Sequence, residues 1–283
     1  GYTLPDSEEA KQMGVVEDVY RYLNSQHFTR SDLIIGVGGG ALTDVAGFIG
    51  GPYLRGIKVG YVATTLVAAV DAAIGGKTGV NVDGKNLAGV FKHPDIVIVD
   101  VDILDELPEQ QKVEGAAEAV KTGFIADLRI VDAYEQDGLD ADLENIVNRS
   151  VAVKARVVSE DFREHGMRAI LNYGHTVGHA VETSTGRSHG QSVGVGMVAA
   201  GAASALALGF EGRDRQDDLI RRLRLPLDAP DAKKPNLRAL MALDKKRDAS
   251  GLRMVLLEDF GRPVVQAVDD ATVEAALDAV GAE

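Results

Sequence analysis

Short runs of β-branched and aliphatic residues recur in the first part of the chain, and each is followed by glycine, polar or acidic residues. The runs DLIIGVGGG, IKVGYVATT and DIVIVDVDIL all fall within residues 1–107, and continuous apolar runs of this length are typical of buried strands. Their alternation with helical or loop segments predicts an α/β sheet with mostly parallel strands. Glycines cluster at 36–56 and 75–89, at strand ends, where such a sheet places its ligand crevice.

From Pro108 the pattern changes to helical spacing. The segments EGAAEAVKTGFIADLRIVDAYEQ, LENIVNRSVAVKARVVSEDFREHG, SVGVGMVAAGAASALALG and DRQDDLIRRLRLP each predict helix, and the β-like piece LRMVLLEDFGRPVVQAVD precedes a final helix. We therefore expect two domains: a nucleotide-binding α/β domain at 1–107 and a mostly helical domain at 108–283. Because LPDSEEAK precedes any strand, we expect the first domain to be partial, with N-terminal structure missing.

Composition and charge narrow the classes of function. The 283 residues are 45% hydrophobic and 26% charged, with a net charge of −13, which is ordinary for a globular protein and argues against nucleic acid or anionic membranes as partners. No apolar run approaches the length of a membrane span and the start lacks a signal-peptide pattern, so we expect a cytoplasmic protein. Because the chain has no Cys, a transition-metal site must use His and carboxylates, which suits a catalytic ion.

Two glycine-rich segments are candidates for binding anions. GVGGGALTD at 36–44 leads from a strand into a helical segment; a helix N-terminus of this kind can bind phosphate, although a tight turn without a ligand would have the same sequence. In the segment at 63–86, Lys77 and Lys85 each follow a glycine. Asp71 and either Asn81 or Asn86, in the same segment, are candidates for the same site. Lysines in this setting suit phosphate or carboxylate oxygens, so we expect a site rather than two exposed loop lysines.

The segment RAILNYGHTVGH puts His175 and His179 four residues apart, on one face of a predicted helix. With His189 and a carboxylate such as Glu118, we expect a divalent ion held by two of the three histidines, the third being a proton carrier. Arg168 precedes His175 by seven residues and is expected on the same face, where its guanidinium suits a carboxylate or phosphate.

Glu118 and Lys121 lie three residues apart on a predicted helix and so face the same way. A surface ion pair is the default interpretation of such spacing. The Ala and Gly residues around them in EGAAEAVKTG indicate instead a closely packed, partly buried face.

These motifs together resemble those of the 3-dehydroquinate synthases, in the sugar-phosphate cyclase superfamily. They recur in order as PDSEEAK, GGGALTDVAGF, YLRG, TTLVAAVDAAIGGKTGVN, GKNLAGVF, LPEQQKVEGAAEAVKTGFI, RAILNYGHTVGHAVE and HGQSVGVGMVAAG. The resemblance implies a nucleotide-binding α/β domain, a mostly helical metal-binding domain, and an active site between them. It also implies bound NAD, a divalent metal (zinc, with cobalt as an alternative), and a homodimer.

Site residues carry over from the family by position. As metal ligands the resemblance implies Glu118, His175 and His189. As catalytic residues it implies Lys77, Lys121, Arg168, Asn172 and His179. Substrate binding would involve Arg55, Asp71, Lys85, Asn86 and one or both of Lys245 and Lys246. NAD would be bound by Glu8, Lys11, Gly39, Gly40, Asp44, Thr64 and Thr65.

The family reaction implies an anionic sugar phosphate as the small-molecule partner. It converts 3-deoxy-D-arabino-heptulosonate 7-phosphate to 3-dehydroquinate and phosphate, by transient oxidation with NAD, phosphate elimination, reduction and aldol cyclisation, in the shikimate pathway. Such an enzyme is a carbon–oxygen lyase. Two alternatives stay open: a sister cyclase of the aminocyclitol or valiolone type, and a catalytically impaired member that keeps the fold. A related metal-dependent polyol dehydrogenase would share the fold but needs no cluster of substrate lysines. Arg168 favours a substrate with a carboxylate, because the sister cyclases accept substrates that lack one.

Overall fold

The computed structural model describes residues 1–245 and 252–283. These residues form two compact units, Gly1–Gln111 and Lys112–Glu283. The first contains a parallel sheet with helices and the second is mostly helical. The predicted fold class, an α/β part followed by a mostly helical part, is confirmed.

Strands and helices are interspersed up to residue 105, and the elements are mostly helical afterwards. In chain order they are α1 (Met13–Ser25), β1 (Leu33–Gly38), α2 (Gly40–Gly50), β2 (Lys58–Ala63), β3 (Lys77–Val80), β4 (Ala88–Phe91), β5 (Ile96–Val99), α3 (Val101–Asp105), α4 (Glu109–Ala126), α5 (Leu128–Asp137), α6 (Leu143–Glu160), α7 (His175–Thr185), α8 (His189–Leu208), α9 (Arg213–Arg222), α10 (Lys234–Lys245), β6 (Arg253–Asp259), β7 (Arg262–Ala267) and α11 (Asp270–Ala279). Short 3-10 helices lie at Ser7–Lys11, Tyr53–Arg55, Gly138–Asp140 and Met167–Asn172, and a π-helix at Ala68–Ala72.

The sheet of the first unit has the strand order β1-β2-β5, and both pairings are parallel, as predicted. Only the central strand β2 is nearly buried throughout, with Val59 0% and Tyr61 2% exposed. The flanking strands differ from the prediction of buried strands, because Ile35 is 56% and Ile96 49% exposed. Among the described residues, α2 packs against β1 and β2, and the opposite face of the flanking strands stays open.

The predicted apolar run DIVIVDVDIL is divided between two elements. Its first half forms β5, whereas Val101–Asp105 forms α3. The Asp100 carboxylate accepts the backbone N–H of Asp102 at 3.1 Å and so caps the helix, which satisfies one of the free N–H groups of its first turn. A cap of this kind ends the strand although the residues that follow are still apolar.

The antiparallel pair β3 and β4 packs against α2 in the first unit. A Cβ atom at Gly47 of α2 would lie 2.2 Å from the Tyr61 hydroxyl and 2.3 Å from Thr78 Cγ2, distances that real Cβ atoms do not show. Glycine at this position therefore lets the helix approach both the parallel sheet and the hairpin.

The second unit is built around α8, which packs against α7, α9, α11 and β6. Each predicted helical segment contains a helix, but the first is divided at Asp127 into α4 and α5, and the second ends at Glu160. The predicted β-like piece forms the antiparallel hairpin of β6 and β7. Helices α7 and α8 lie in close contact because glycines face each other: a Cβ atom at Gly196 would lie 1.9 Å from the Gly174 carbonyl oxygen. This contact brings the first residues of both helices into one region.

Helix α8 also corrects one sequence prediction. It is 20 residues long with a mean hydropathy of 1.5 over its most apolar stretch, so by length and composition it could cross a membrane. The prediction that no apolar run approaches that length is therefore wrong. Because 72% of this stretch is buried inside the protein, its apolar surface is already covered by the neighbouring elements of the second unit.

Candidate metal centre and substrate residues

Three elements of the second unit contribute the candidate metal ligands. Glu118 lies in the middle of α4, where its side chain is 1% exposed. His175 and His189 are the first residues of α7 and α8, and Gly174, with φ 78°, turns the chain immediately before α7. Glycine adopts this left-handed conformation at little cost, so the turn can place His175 at the very start of the helix.

One ligand atom from each of these residues lies within 4.8 Å of the others. The Nε2 atom of His189 lies 2.9 Å from Glu118 Oε1, and the Nε2 atom of His175 lies 3.4 Å from the same oxygen. Two imidazole nitrogens and a carboxylate oxygen are the donor set of many catalytic zinc sites, which leave a coordination position for substrate. The residues present therefore fit a divalent cation such as zinc.

The imidazole of His175 is oriented by the backbone. Its Nδ1 atom lies 3.1 Å from the carbonyl oxygen of Tyr173. A carbonyl oxygen only accepts hydrogen bonds, so Nδ1 carries the proton and Nε2 presents its lone pair toward Glu118. Metal-binding histidines usually have a partner of this kind on the nitrogen that faces away from the metal.

His179 is close to the group but is not part of it. Its ring centroid lies 5.0 Å from that of His175 and 6.3 Å from that of His189. Of the three histidine pairs that the residues alone left open, the structure therefore assembles His175 and His189 with Glu118. Desolvation by the surrounding protein and repulsion from the two other imidazoles lower the pKa of His179. The residue is exposed at the surface, and solvent screens part of this effect.

Glu118 is an ionised carboxylate in a buried position. Burial alone would raise its pKa, but the Lys121 ammonium and the His175 imidazole hold the pKa of this carboxyl well below its usual range. Lys121 is itself only 2% exposed and forms an ion pair with Glu118 Oε2. The predicted pairing of these residues on a buried helix face is thus confirmed, and the surface interpretation does not apply.

The two candidate histidine ligands differ in the protonation state that their surroundings favour. Burial disfavours the charged form of His189, but hydrogen bonds to Glu118 and Glu182 outweigh it and raise the pKa of His189 to about 10. Burial and the nearby Lys121 charge lower the pKa of His175. Two adjacent carboxylates thus favour positive charge at the position of His189, and a bound cation can satisfy the same preference.

Arg168 lies in the 3-10 helix Met167–Asn172 rather than on α7. The expectation that it shares a helical face with His175 is therefore wrong, because the turn at Gly174 separates the two helices. Arg168 is nonetheless buried, with 1% exposure, and its Nη1 donates a hydrogen bond to the carbonyl oxygen of Phe162 at 2.7 Å. Asn172, in the same short helix, donates from Nδ2 to Glu164 Oε1 at 3.0 Å.

The predicted NAD-binding residues belong to the first unit, and four of them, Gly39, Gly40, Thr64 and Thr65, follow the carboxyl ends of β1 and β2. Gly39 is the N-cap of α2, and a Cβ atom there would lie 3.0 Å from Thr65 Cγ2. The backbone N–H of Thr64 donates to the Gly38 carbonyl oxygen at 3.0 Å. The strand, glycine turn and helix predicted at this position are confirmed. Gly40 is the first residue of α2.

The remaining predicted residues of this unit form two contacts. Lys11 is almost completely buried and its Nζ lies 2.6 Å from Asp44 Oδ2. The Oε1 atom of Glu8 lies 3.5 Å from Lys85 Nζ, and its Oε2 atom accepts a hydrogen bond from Asn81 Nδ2 at 2.9 Å. The structure thus joins Glu8, predicted for NAD, to Lys85, predicted for substrate.

The other predicted substrate-binding residues lie in different elements of the fold. Asp71 lies in the π-helix Ala68–Ala72, and Arg55 is an exposed residue of the 3-10 helix Tyr53–Arg55. Lys77 begins β3, and Asn86 lies in the turn that leads to β4. Lys245 is the last residue of α10, and Lys246 lies outside the described residues.

Three carboxylates around this centre were missed by the sequence analysis. Glu114 accepts hydrogen bonds from the Ser188 hydroxyl and, at 2.7 Å, from the Gly190 backbone N–H, Glu164 contacts Asn172, and Glu182 contacts His189. The only available signal was spacing: Glu114 precedes Glu118 by one helical turn, and Glu182 follows His175 by two.

Comparison with known proteins places these features in a family. Residues 1–114 match the model of the 3-dehydroquinate synthase N-terminal domain, and residues 115–247 match that of the C-terminal domain. A 3-dehydroquinate synthase of Corynebacterium pseudotuberculosis is 43% identical over 98% of this chain and 80% of its own length. That of Corynebacterium diphtheriae is 46% identical over 91% of this chain and 74% of its own length.

Solved structures of related cyclases share the fold. The 2-epi-5-epi-valiolone synthase of Streptomyces hygroscopicus, with NAD+ and Zn2+ bound, superposes with a TM-score of 0.91 at 26% identity, over 98% of this chain and 81% of that one. A 2-deoxy-scyllo-inosose synthase complexed with carbaglucose-6-phosphate, NAD+ and Co2+ gives a TM-score of 0.87 at 30% identity, over 97% and 81% of the two chains. With matches that cover both its units, the chain belongs to the 3-dehydroquinate synthase family.

Proposed function

We propose that this protein is a 3-dehydroquinate synthase, a carbon–oxygen lyase that converts 3-deoxy-D-arabino-heptulosonate 7-phosphate to 3-dehydroquinate and phosphate in the shikimate pathway. Relatives with this name are 40–46% identical over most of the chain. The observation that carries the proposal is the convergence of Glu118, His175 and His189 within 4.8 Å, because this group supplies the metal ligands that the family's chemistry requires.

We propose NAD and a divalent cation, zinc with cobalt as a substitute, as the cofactors. Structural neighbours contain NAD+ with Zn2+ or Co2+. When bound, these cofactors supply a reversible hydride acceptor and a Lewis acid that polarises a substrate oxygen. Residues 1–107 would form the NAD-binding domain and 108–283 the metal- and substrate-binding domain. The proposed NAD-binding residues are Glu8, Lys11, Gly39, Gly40, Asp44, Thr64 and Thr65.

The cationic side chains of the chain would bind and orient the two anionic ends of the substrate. An overall charge of −13 repels anions at long range, so the binding must come from local positive groups. The Arg168 guanidinium matches a carboxylate or phosphate in shape, and its burial strengthens such a contact because solvent screening is weak there. The proposed substrate residues are Arg55, Asp71, Lys77, Lys85, Asn86, Lys121, Arg168, Asn172, Lys245 and Lys246.

His179 would exchange protons with the substrate. Its lowered pKa means that the free imidazole is neutral near neutral pH, and a neutral imidazole can accept a proton. Its position beside the His175 and His189 rings places it next to the proposed metal without making it a ligand. We also propose, from the family resemblance, that the protein is a cytoplasmic homodimer.

A sister cyclase is the second candidate, since two such enzymes superpose with TM-scores of 0.91 and 0.87. Their sequence identity of 26% and 30% is lower than the 43% and 46% of the synthases. The buried Arg168 also favours a substrate that carries a carboxylate.

The test is a comparison of substrates on one preparation. The protein, loaded with Zn2+ and NAD, is incubated with 3-deoxy-D-arabino-heptulosonate 7-phosphate or with sedoheptulose 7-phosphate, and released phosphate and carbocyclic product are measured. We expect phosphate and 3-dehydroquinate from the first substrate only, and loss of both after chelation. Release from sedoheptulose 7-phosphate alone would support the sister cyclase, and release from neither would contradict both candidates.

A further inference from the structure

Both candidate histidine ligands have hydrogen-bond partners on the nitrogen that faces away from Glu118. For His175 the partner is the backbone carbonyl of Tyr173. For His189 the partner is a charged side chain, because Glu182 Oε2 lies 3.2 Å from Nδ1. An ionised carboxylate only accepts hydrogen bonds, so this contact requires a proton on Nδ1. With that proton held by Glu182, Nε2 is the nitrogen whose lone pair can bind a cation in place of its hydrogen bond to Glu118.

We propose that Glu182 is a positioning residue that holds His189 with Nε2 directed at the metal and increases the basicity of this ligand. The inference rests on the proposed metal site and adds a carboxylate–histidine–metal arrangement to it. In metal sites generally, such a partner fixes the ring orientation and the protonated nitrogen, and its loss weakens metal binding by about 10–100-fold.

His189 needs such a partner more than the other ligands do. Its side chain is 33% exposed, compared with 11% for His175 and 1% for Glu118. Packing therefore restrains the His189 ring least, and a rotation of the ring would exchange its two nitrogens. Glu182 is only 17% exposed, so its hydrogen bond is partly shielded from water and correspondingly stronger.

The location of Glu182 links two ligands through one helix. Both His175 and Glu182 belong to α7, seven residues and about two turns apart, which places them on the same side of the helix. Helix α7 thus contributes one ligand directly and orients another, which begins α8. Because glycines hold α7 and α8 in close contact, the geometry from Glu182 to His189 is determined by helix packing.

The backbone at the start of α8 has a separate support. Glu114 accepts a hydrogen bond from the Gly190 N–H at 2.7 Å and one from the Ser188 hydroxyl. The first contact satisfies a free N–H group of the first turn, and neither contact involves the His189 ring. The orientation of the ring is therefore the part of the arrangement that depends on Glu182.

The experiment measures metal binding by the apoprotein without turnover. Zn2+ affinity is determined by competition with a chromophoric chelator, and Co2+ is added to record the visible ligand-field spectrum. We expect Glu182→Ala to weaken Zn2+ binding by about 10–100-fold and to change the Co2+ spectrum. Glu182→Gln keeps an acceptor for Nδ1–H but loses the charge, so its loss of affinity should be smaller.

The matched control is Thr183→Ala, at the exposed neighbouring position of α7, which should leave affinity and spectrum unchanged. Should Glu182→Ala fail to fold, Glu182→Leu decides, because it fills a similar volume without accepting a hydrogen bond. Unchanged affinity and spectrum in that variant would overturn the proposal. The same conclusion follows if Glu182→Ala folds and binds as the unmodified chain does.

The outcomes also separate this inference from the proposed function. Failure of the unmodified chain to bind Zn2+ or Co2+ would contradict the metal site itself and this inference with it. Normal metal binding without turnover of either sugar phosphate would contradict the proposed function only, and the role of Glu182 would still be measured.

Discussion

Glu118 and His189 are 71 residues apart in the sequence, yet Oε1 of the first lies 2.9 Å from Nε2 of the second. The carboxylate is almost completely buried and the imidazole is its hydrogen-bond partner. His175 approaches the same oxygen at 3.4 Å. Three helices thus meet at one carboxylate.

Replacement of a ligand should abolish tight metal binding. We expect His175→Ala to weaken Zn2+ binding by more than the roughly 10–100-fold typical of an outer partner, because a donor atom is lost. Phosphate release from the substrate should fall in parallel. His165→Ala is the matched histidine control, since His165 is exposed and lies outside the ligand group; Zn2+ affinity is measured for both. Equal affinities would show that His175 is not a ligand.

Removal of the positive charge beside Glu118 should destabilise the apoprotein. Lys121→Met leaves a buried carboxylate without its ammonium partner, and breaking a buried pair in this way costs about 3–5 kcal/mol. Urea denaturation of the apoprotein and of the Zn2+-loaded protein measures the free energy of unfolding. We expect Zn2+ to stabilise the variant more than the unmodified chain, because the cation replaces the lost charge. An apoprotein of unchanged stability would contradict this account.

The contact of α7 with α8 should tolerate no side chain at Gly196. A Cβ atom would lie 1.9 Å from the Gly174 carbonyl oxygen, so Gly196→Ala must push α7 away. Overpacking typically costs 1–3 kcal/mol, and we expect a loss of about this size or more, measured by urea denaturation. Since Gly174 directly precedes His175, Zn2+ affinity should fall as well.

Gly14 provides the control for this substitution. It lies in α1, where a Cβ atom would meet nothing within 4 Å, and alanine is a better helix former than glycine by about 0.5–1 kcal/mol. We expect Gly14→Ala to be neutral or slightly stabilising. If both alanine variants had the same stability, the close contact between α7 and α8 would not be a packing constraint.

Asp127 should stabilise the start of α5 in a pH-dependent way. Its carboxylate accepts a hydrogen bond from the Arg129 backbone N–H at 3.2 Å and another from Arg149 Nη1 at 3.3 Å. Burial opposes ionisation, but the hydrogen bonds from Arg129 and Arg149 outweigh it and lower the pKa of Asp127. A lowered pKa in the folded state means that this stabilisation is present above the ordinary pKa of about 3.9 and is lost as pH falls below it.

Asp127→Ala should therefore cost about 1 kcal/mol near neutral pH, the usual value of a helix cap. The difference in unfolding free energy from the unmodified chain should stay constant between about pH 5 and 8 and decrease in more acidic solution. Urea denaturation at stepped pH values measures it. Arg129→Ala, which keeps the cap, should cost less. A difference that grows on acidification would have the wrong sign for this explanation.

Local patterns were sufficient for most of the architecture and for single pairs of residues. The strand and helix periodicities predicted the parallel sheet and the helical second unit, and the spacing of Glu118 and Lys121 predicted their ion pair. These features depend on neighbours within a few residues. The open face of β1 and β5 was not predicted, because a run of β-branched residues looks the same whether one face or both are covered.

Long-range geometry decided the metal group. Helical spacing alone predicts that Arg168, His175 and His179 lie on one face of one helix. The left-handed turn at Gly174 instead starts a new helix at His175. That turn and the contact of α7 with α8 bring in His189 from the next helix.

The sequence by itself thus determined the fold class, the family motifs and the residue types available to bind a metal. The family resemblance already implied Glu118, His175 and His189 as ligands, but only the tertiary structure shows that their donor atoms lie within 4.8 Å of one another and that the carboxylate of Glu182 lies behind His189. The physical reason is that ligand geometry depends on the packing of α4, α7 and α8 at the level of ångströms, and no local periodicity encodes the distance between separate helices.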